Sequence, residues 1–404
     1  MSAEHQVSPG PSNIAFFGSF YPRIDRLATT SVGMVYLISM CRNRPNVTVI
    51  GPKGSEIPEN YASNVKIEPL WEYDDIPSIV RAFFFLLRRK KKYDLVFFNL
   101  ILTSFGKRNL SNGIGLLIPP VYSILTHKRP VVYIHNLVET QSLEKLGYGN
   151  AYLSKQFAKM LEKIIFDTAD IILPLESQRK TVERIYGMKV EQSLFVGVEG
   201  IWSFKNYLSL HNRSDVNNLG KRRILLFGAW GPQKDIINLL KMLKTLFTTL
   251  KCFHVTVAGS INQNFPEYRE KISNIFLELD SDRFSFIENP EENEIPELFI
   301  NSDILILPYN ATGGYSGVMN IARLYCIKII AYDIDELREI AQVIGGDVDF
   351  IPRDNRENLE RVLLDFVWEP KLRSAEEELA EILGRGSDQM TKILKTHSKQ
   401  DKNT

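Results

Sequence analysis

The run Ser302-Asp303-Ile304-Leu305-Ile306-Leu307-Pro308-Tyr309-Asn310-Ala311-Thr312-Gly313-Gly314-Tyr315-Ser316-Gly317 combines a short apolar strand, a glycine-rich turn and a helix that opens at Ser316. The unbonded N–H groups of a helix start, together with the positive end of its dipole, form a ready anion site. Gly313 and Gly314 let a ligand approach the main chain closely, and a phosphate is the simplest candidate. On this run alone, a tight strand-to-helix turn with no ligand stays open as the alternative. A second loop has the same character: Arg223-Ile224-Leu225-Leu226-Phe227-Gly228-Ala229-Trp230-Gly231-Pro232-Gln233-Lys234-Asp235 reads as strand, glycine turn and helix start. Lys234 opposes the dipole of the helix it precedes, so its presence calls for another reason than helix stability. A solvated loop lysine is the plain alternative. Two phosphate-suited loops in one domain favour the anion.

The elements that must position these loops alternate between β-rich runs and helical patterns. Candidate strands are Asn13–Gly18, Asn46–Ile50, Asp94–Asn99, Pro130–His135, Asp170–Pro174 and Leu194–Val198, then Arg223–Ala229, Phe253–Gly259, Phe284–Ile287, Asp303–Leu307 and Lys328–Tyr332. Several are continuously apolar, as parallel strands covered on both faces are. The alternation predicts an α/β protein with two doubly wound, Rossmann-like sheets facing across a cleft. The polar stretch from about Tyr207 to Arg222 reads as a linker. The expected domains are therefore 1–206 and 223–375, joined by 207–222, with 376–404 as a helix and tail that return to the first domain. From about His397 the chain reads as disordered. No Gly-x-Gly-x-x-Gly follows any strand and no Walker-type loop is present, which excludes the common dinucleotide and nucleoside triphosphate signatures.

Composition narrows the classes further. The chain has 404 residues, 44% apolar and 24% charged, with a formal net charge of +1, so nothing global argues for nucleic acid. Cys41, Cys252 and Cys326 are scattered, which points to a reducing compartment and to no metal site. The polar start from Met1 to Pro11 lacks a signal-peptide core, and the apolar stretch Gly113–Leu125 is too short to span a bilayer. A cytoplasmic protein is expected, with peripheral membrane contact open. Ile76–Lys92 reads as a helix with a core stripe of Ile76, Ile79, Val80, Phe83 and Leu87. Phe85 falls opposite, among Arg81, Arg88, Arg89 and Lys92, an arrangement suited to an anionic lipid surface. Solvated cations, with Phe85 against a neighbouring helix, are the alternative.

Taken in order along the chain, these features resemble the GT-B glycosyltransferases, specifically the retaining family 4 type. The resemblance rests on the glycine loop with Lys234, on Ser302–Pro308 with its turn and helix, and on Cys326-Ile327-Lys328-Ile329-Ile330-Ala331-Tyr332-Asp333 with Leu337-Arg338-Glu339. In the first half it rests on Pro130-Val131-Val132-Tyr133-Ile134-His135-Asn136, on Ala169–Gln178, on Tyr186-Gly187 and on Val196–Gly200. It covers roughly Asn13 to Glu339, and order and spacing carry it rather than any single motif.

The resemblance implies a nucleotide-diphosphate sugar donor held mainly by the second domain, without metal or other cofactor. Lys234 would contact the diphosphate, Gly228 would lie in the same loop, and the main chain of Gly313, Gly314, Tyr315, Ser316 and Gly317 would hold phosphate and sugar. His135 would face the donor sugar, making His135 and Lys234 the expected catalytic pair. Asn310, Thr312, Ser316 and Asn320 could bond sugar hydroxyls, and Arg23 and Arg26 could face a phosphate on the acceptor side. Three departures stand out. The family's paired glutamates fall on Gly314 and Ala322, its arginine falls within Ala229-Trp230, and the N-terminal loop lacks the usual glycine pair. The implied activity is transfer of a sugar to a glycan or lipid-linked acceptor; a catalytically silent binding protein and a nucleotide-sugar epimerase are the alternatives.

Overall fold

The computed structural model describes residues 10–21, 26–101, 104–106, 108–140, 151–190, 222–250, 252–262, 265–291, 294–312, 315–345, 347–366 and 375–400. The expected strand Leu194–Val198, the linker up to residue 221, Arg23, Gly313 and Gly314 lie outside them.

The first sheet has six parallel strands: β1 (Asn13–Phe17), β2 (Asn46–Pro52), β3 (Val65–Trp71), β4 (Leu95–Leu100), β5 (Val131–Ile134) and β6 (Asp170–Ile172). Their order is β3-β2-β1-β4-β5-β6. The crossovers include α1 (Arg26–Met40), α2 (Ile76–Arg88), α3 (Asn109–Leu116), α4 (Ile118–Thr126), α5 (Ala151–Thr168) and α6 (Glu176–Tyr186). The second sheet holds β7 (Arg222–Trp230), β8 (Phe253–Ile261), β9 (Phe284–Glu288), β10 (Ile304–Leu307), β11 (Lys328–Tyr332) and β12 (Val348–Ile351). It is also parallel and runs β12-β11-β10-β7-β8-β9, the same doubly wound order as the first. Its helices are α7 (Ile236–Leu246), α8 (Glu267–Phe276), α9 (Glu294–Ile300), α10 (Gly317–Leu324), α11 (Asp335–Ile344) and α12 (Arg356–Asp365); α13 (Ala375–Gln400) follows them.

Each sheet is buried on both faces because its central strands are apolar throughout: all of β4 and all of β10 are buried. Two edge strands, β3 and β12, were not expected. Lys66, Glu68 and Pro69 in β3, and Asp349 in β12, give edge sequences that lack a continuous apolar run.

The chain divides into two compact units. The first gathers the described residues of β1 to α6 together with α13 from Ala380 onward, and the second takes β7 through Leu379. Helix α13 is anchored to α1 at the Ser387 hydroxyl, which bonds the Met40 carbonyl at 3.3 Å, and at the Cys41 thiol, 3.8 Å from the Ser387 carbonyl. Among the described residues no helix is long and apolar enough to cross a membrane.

Helix α2 corrects the expected membrane face. It ends at Arg88 rather than Lys92, and its buried residues are Ser78, Ile79, Ala82 and Leu86. Phe85 is half-buried against the core, with the Arg89 guanidinium 3.7 Å over its ring. The exposed aromatic is Phe84, between Arg81 and Arg88 on the outward row. The run Ala82–Leu87 is apolar on every side of the helix, so periodicity could not select the inward face.

Candidate functional site

In the second unit, β7 and β10 are parallel neighbours, with Ile224 opposite Ile304 and Leu225 opposite Leu305. Strand order reverses between them, and ligands of open α/β sheets bind beyond the carboxyl ends of strands at such a point. The two loops singled out in the sequence leave from there and are tied together by main-chain bonds. Lys234 and Tyr309 form an antiparallel bridge, Asp235 N donates to Pro308 O at 2.7 Å, and Asn310 N donates to Gln233 O at 3.0 Å. The Asn310 amide adds a bond to Pro232 O at 3.4 Å. Gly228, Lys234 and Asn310 are thus held together in this unit, and Thr312, Ser316 and Gly317 follow Asn310 along the chain.

Lys234 folds back over the end of β7. Gly228 has φ +146°, and a Cβ placed on it would lie 2.1 Å from Lys234 Nζ. Its cross-strand partner Gly259 has φ +128°, and a Cβ there would lie 1.9 Å from Gly228 O. Only glycine suits either position. The ammonium stands 5.3 Å from the Trp230 ring centre and 4.7 Å from that of Tyr309. Among the described residues no carboxylate and no hydrogen-bond acceptor meets it. Two aromatic faces hold the cation without neutralising it, which leaves its charge for an anion.

The start of α10 adds donors. Ser316 is the N-cap, in extended backbone, yet its side chain makes no capping bond. Thr312 and Ser316 are each 7% exposed, and their hydroxyls, like Asn310 Oδ1, find no partner among the described residues. An orphaned buried hydroxyl costs about 1–3 kcal/mol, so each of these groups calls for a partner. Tyr315 is buried beside it. Ala322, where the resemblance expects a carboxylate, is fully buried on α10. Asp235, the N-cap of α7, is raised in pKa by burial, opposed by the Asn238 amide at 2.9 Å and by Arg353 at 3.4 Å.

His135 lies in the first unit. It follows β5, but its ring is fully buried, edge-on to Tyr133 with ring centres 4.8 Å apart. Its Nε2 meets Asn99 Oδ1 at 2.7 Å, the Asn99 amide donates to Ser31 Oγ at 2.8 Å, and Gln178 covers it by donating to His135 O at 3.0 Å. An oxygen partner fixes the proton on Nε2, so that nitrogen cannot act as a base toward a ligand. Arg26 opens α1, and its place is given for the backbone alone.

Three contributors were not singled out in the sequence. Trp230 and Tyr309 flank the lysine; an aromatic in each of the two glycine loops was the available signal. Glu162 on α5 is the third. It is 3% exposed and accepts bonds from Val138 N and Tyr186 OH, both at 2.7 Å. Burial pushes it up to about 7, against those two bonds and Lys159. It therefore anchors the segment that follows His135. Among the described residues no group of three or more His, Cys, Asp or Glu could hold a metal ion.

No family model matches the chain, and no curated protein matches it. Solved structures do. The chain is similar to sucrose-phosphate synthase from Thermosynechococcus elongatus, with 14% identity over 97% of this chain and 98% of that one, at TM-score 0.61. It is similar to Anabaena HepE in complex with UDP and glucose, with 12% identity over 97% and 98%, at TM-score 0.58. A protein assigned as a UDP-N-acetylglucosamine 2-epimerase from Listeria monocytogenes gives 13% identity over 94% and 90%, at TM-score 0.55. At these identities the likeness shows the fold alone, and that fold is GT-B.

Proposed function

We propose that the chain is a glycosyltransferase of the retaining, family 4 kind, which takes a sugar from a nucleotide-diphosphate donor. The observation that carries this is the Lys234 ammonium, set over Gly228 between two aromatic rings with no carboxylate to balance it. On this reading the donor diphosphate lies against Lys234 and the opening turn of α10, with Gly313 and Gly314 allowing close approach of the main chain. Charge growing on the leaving phosphate oxygens would be met by the ammonium, by α10 N–H groups and by the Thr312 and Ser316 hydroxyls. Asn310 would bond a sugar hydroxyl. No metal or cofactor is assigned a role. The acceptor is a glycan or a lipid-linked sugar, with Arg23 and Arg26 as the sequence's candidates for its phosphate. The chain would work in the cytoplasm, at the membrane's inner face when the acceptor is lipid-linked.

A thermal-shift series with UDP, ADP and GDP tests the donor site, because a ligand that binds only the native state raises the melting temperature. At least one should raise it. Lys234→Ala should weaken that nucleotide by about ten- to a hundredfold, the worth of a charge-assisted hydrogen bond. A melting temperature indifferent to every nucleoside diphosphate would sink the proposal. Ala322 and Gly314, which lack the family's carboxylates, favour a second reading, a GT-B protein that binds a nucleotide sugar without turning it over. Slow hydrolysis of the donor separates transferase from silent binder, and sugar interconversion without acceptor would identify an epimerase.

A further inference from the structure

Helix α5 is apolar on two sides, and only one of them is covered. Leu161, Ile165 and Phe166 are buried in the core of the first unit. A second stripe, Leu153, Phe157, Met160 and Ile164, runs along the outer side at intervals of four, three and four residues, the spacing of a coiled-coil seam. Leu153, Phe157 and Met160 are 63%, 48% and 51% exposed, and Ile164 is half-buried. Leu110 on α3 widens this surface: it is exposed one turn before Gly113, where a Cβ would lie 3.3 Å from the Phe157 ring.

The charges beside the stripe are balanced. The row along its solvent edge, Tyr152, Gln156, Lys163 and Asp167, is exposed and holds one cation and one anion. Lys155 and Lys159 turn to the other side of the helix, where both pair with Glu139.

We infer that α5 packs against α5 of a second copy of this chain, antiparallel about a two-fold axis. An axis level with residues 158 and 159 brings Leu153 against Ile164 of the partner subunit and Phe157 against the partner's Met160. Every member of the stripe then meets an apolar residue, and by symmetry each contact is made twice. The same rotation sets Lys163 near the partner's Gln156 and Asp167 near the partner's Tyr152. An ammonium faces an amide and a carboxylate faces a phenol, so no like charges meet. A parallel pair would instead set lysine against lysine and aspartate against aspartate. A bilayer gains little here, because the flanking row is neutral and the other two lysines are already paired. With Tyr152 and Leu110 the stripe exposes on the order of 500 Å² of side chain per copy, short of the roughly 800 Å² that each partner buries in a standard interface. The dimer is therefore a reversible, micromolar one. The inference is independent of the donor chemistry.

Analytical ultracentrifugation of the full chain without nucleotide tests it, so failure of the donor reading leaves the result intact. The weight-average mass should climb from that of one chain toward twice that value as concentration rises through the micromolar range. Phe157→Asp with Met160→Asp should weaken association by about a hundredfold or more, since each copy would bury carboxylates at the seam, with the circular dichroism melt unchanged. Cysteine pairing tests the geometry by a gentler change. Leu153→Cys with Ile164→Cys should give a disulfide-linked dimer on mild oxidation. Within one helix those positions lie about 16 Å apart, too far to bridge each other. Either single variant should cross-link no more than the parent, which carries the exposed Cys252 as its own control. A mass that stays at one chain across the range overturns the inference, as does a dimer indifferent to the Phe157 and Met160 changes. So does cross-linking of Leu153→Cys alone to the same extent as the double variant. Pelleting of a monomer with phosphatidylglycerol vesicles, lost on the Phe157 and Met160 changes, would assign the stripe to lipid and overturn it too.

Discussion

A lysine just before a helix N-cap is electrostatically misplaced, and here two rings rather than a carboxylate keep Lys234 in position. A flexible ammonium fits over Gly228, whereas a planar guanidinium on a longer stem does not. Lys234→Arg should therefore fail to restore nucleotide binding in the thermal-shift assay, although it restores the charge; full rescue would show that charge alone matters. Glu162 has a separate consequence. Its ordinary value of 4.5 applies to the unfolded chain, and burial lifts it to about 7 in the folded one. Between those values the folded state binds the extra proton, so stability falls as pH rises from about 4.5 to about 7, by on the order of 3 kcal/mol. Glu162→Gln can still accept from Val138 N and bond Tyr186, without a buried charge. It should flatten the dependence of melting temperature on pH and raise that temperature at pH 8; an unchanged slope would assign the titration elsewhere. The candidates Lys234, Thr312 and Ser316 could be singled out in the sequence because strand, glycine turn and helix start are local patterns. For Trp230 and Tyr309 the sequence offered only an aromatic in each glycine loop, since their place around Lys234 exists only once β7 and β10 lie side by side. The burial of His135 was not legible, because a strand end does not reveal what covers it, here Gln178 from α6.

At the scale of elements, the paired glycines of β7 and β8 let the loops rise where they do. Gly228 and Gly259 are partners in register, both with φ in the range that side chains avoid, and a Cβ on Gly259 would collide with backbone rather than with a movable side chain. Gly259→Ala should lower stability by more than about 2 kcal/mol, read as a shift in urea midpoint, and should weaken nucleotide binding by displacing the end of β7. A fully stable variant would mean that the strands part without loss. Central strands such as β4 and β10 were recognisable from continuous apolar runs, and β11 was bounded as found. The edge strands β3 and β12 were not, because a strand paired on one side tolerates Lys66, Glu68 and Asp349. In α2 the same principle worked in reverse: Ala82–Leu87 supplies apolar residues to every face, and packing on β3, not periodicity, sends Ala82 and Leu86 inward and Phe84 out.

At the scale of the molecule, two sheets of identical strand order arise because each half alternates strand and helix in the same sequence, and right-handed crossovers leave few other ways to wind them. That much could be read from the chain. The membership of α13 is a matter of packing, since Met390, Ile393 and Leu394 are buried while the preceding chain belongs to the other unit. Cys41 reports on this contact. It is fully buried at the end of α1, next to Ser387, and its thiol is pushed up to about 11, chiefly by burial. A thiol with that pKa is nearly all protonated at neutral pH and inert toward disulfide reagents, whereas Cys252 is exposed. Ending the chain at Leu379 removes the cover from α1. Titration with a chromogenic disulfide should then detect Cys41 as an additional reactive thiol, and the first unit should lose amide-exchange protection, while nucleotide binding in the second persists. If Cys41 stays silent in the shortened chain, α1 and the sheet beneath it bury the thiol unaided, and α13 adds nothing to the first unit's core.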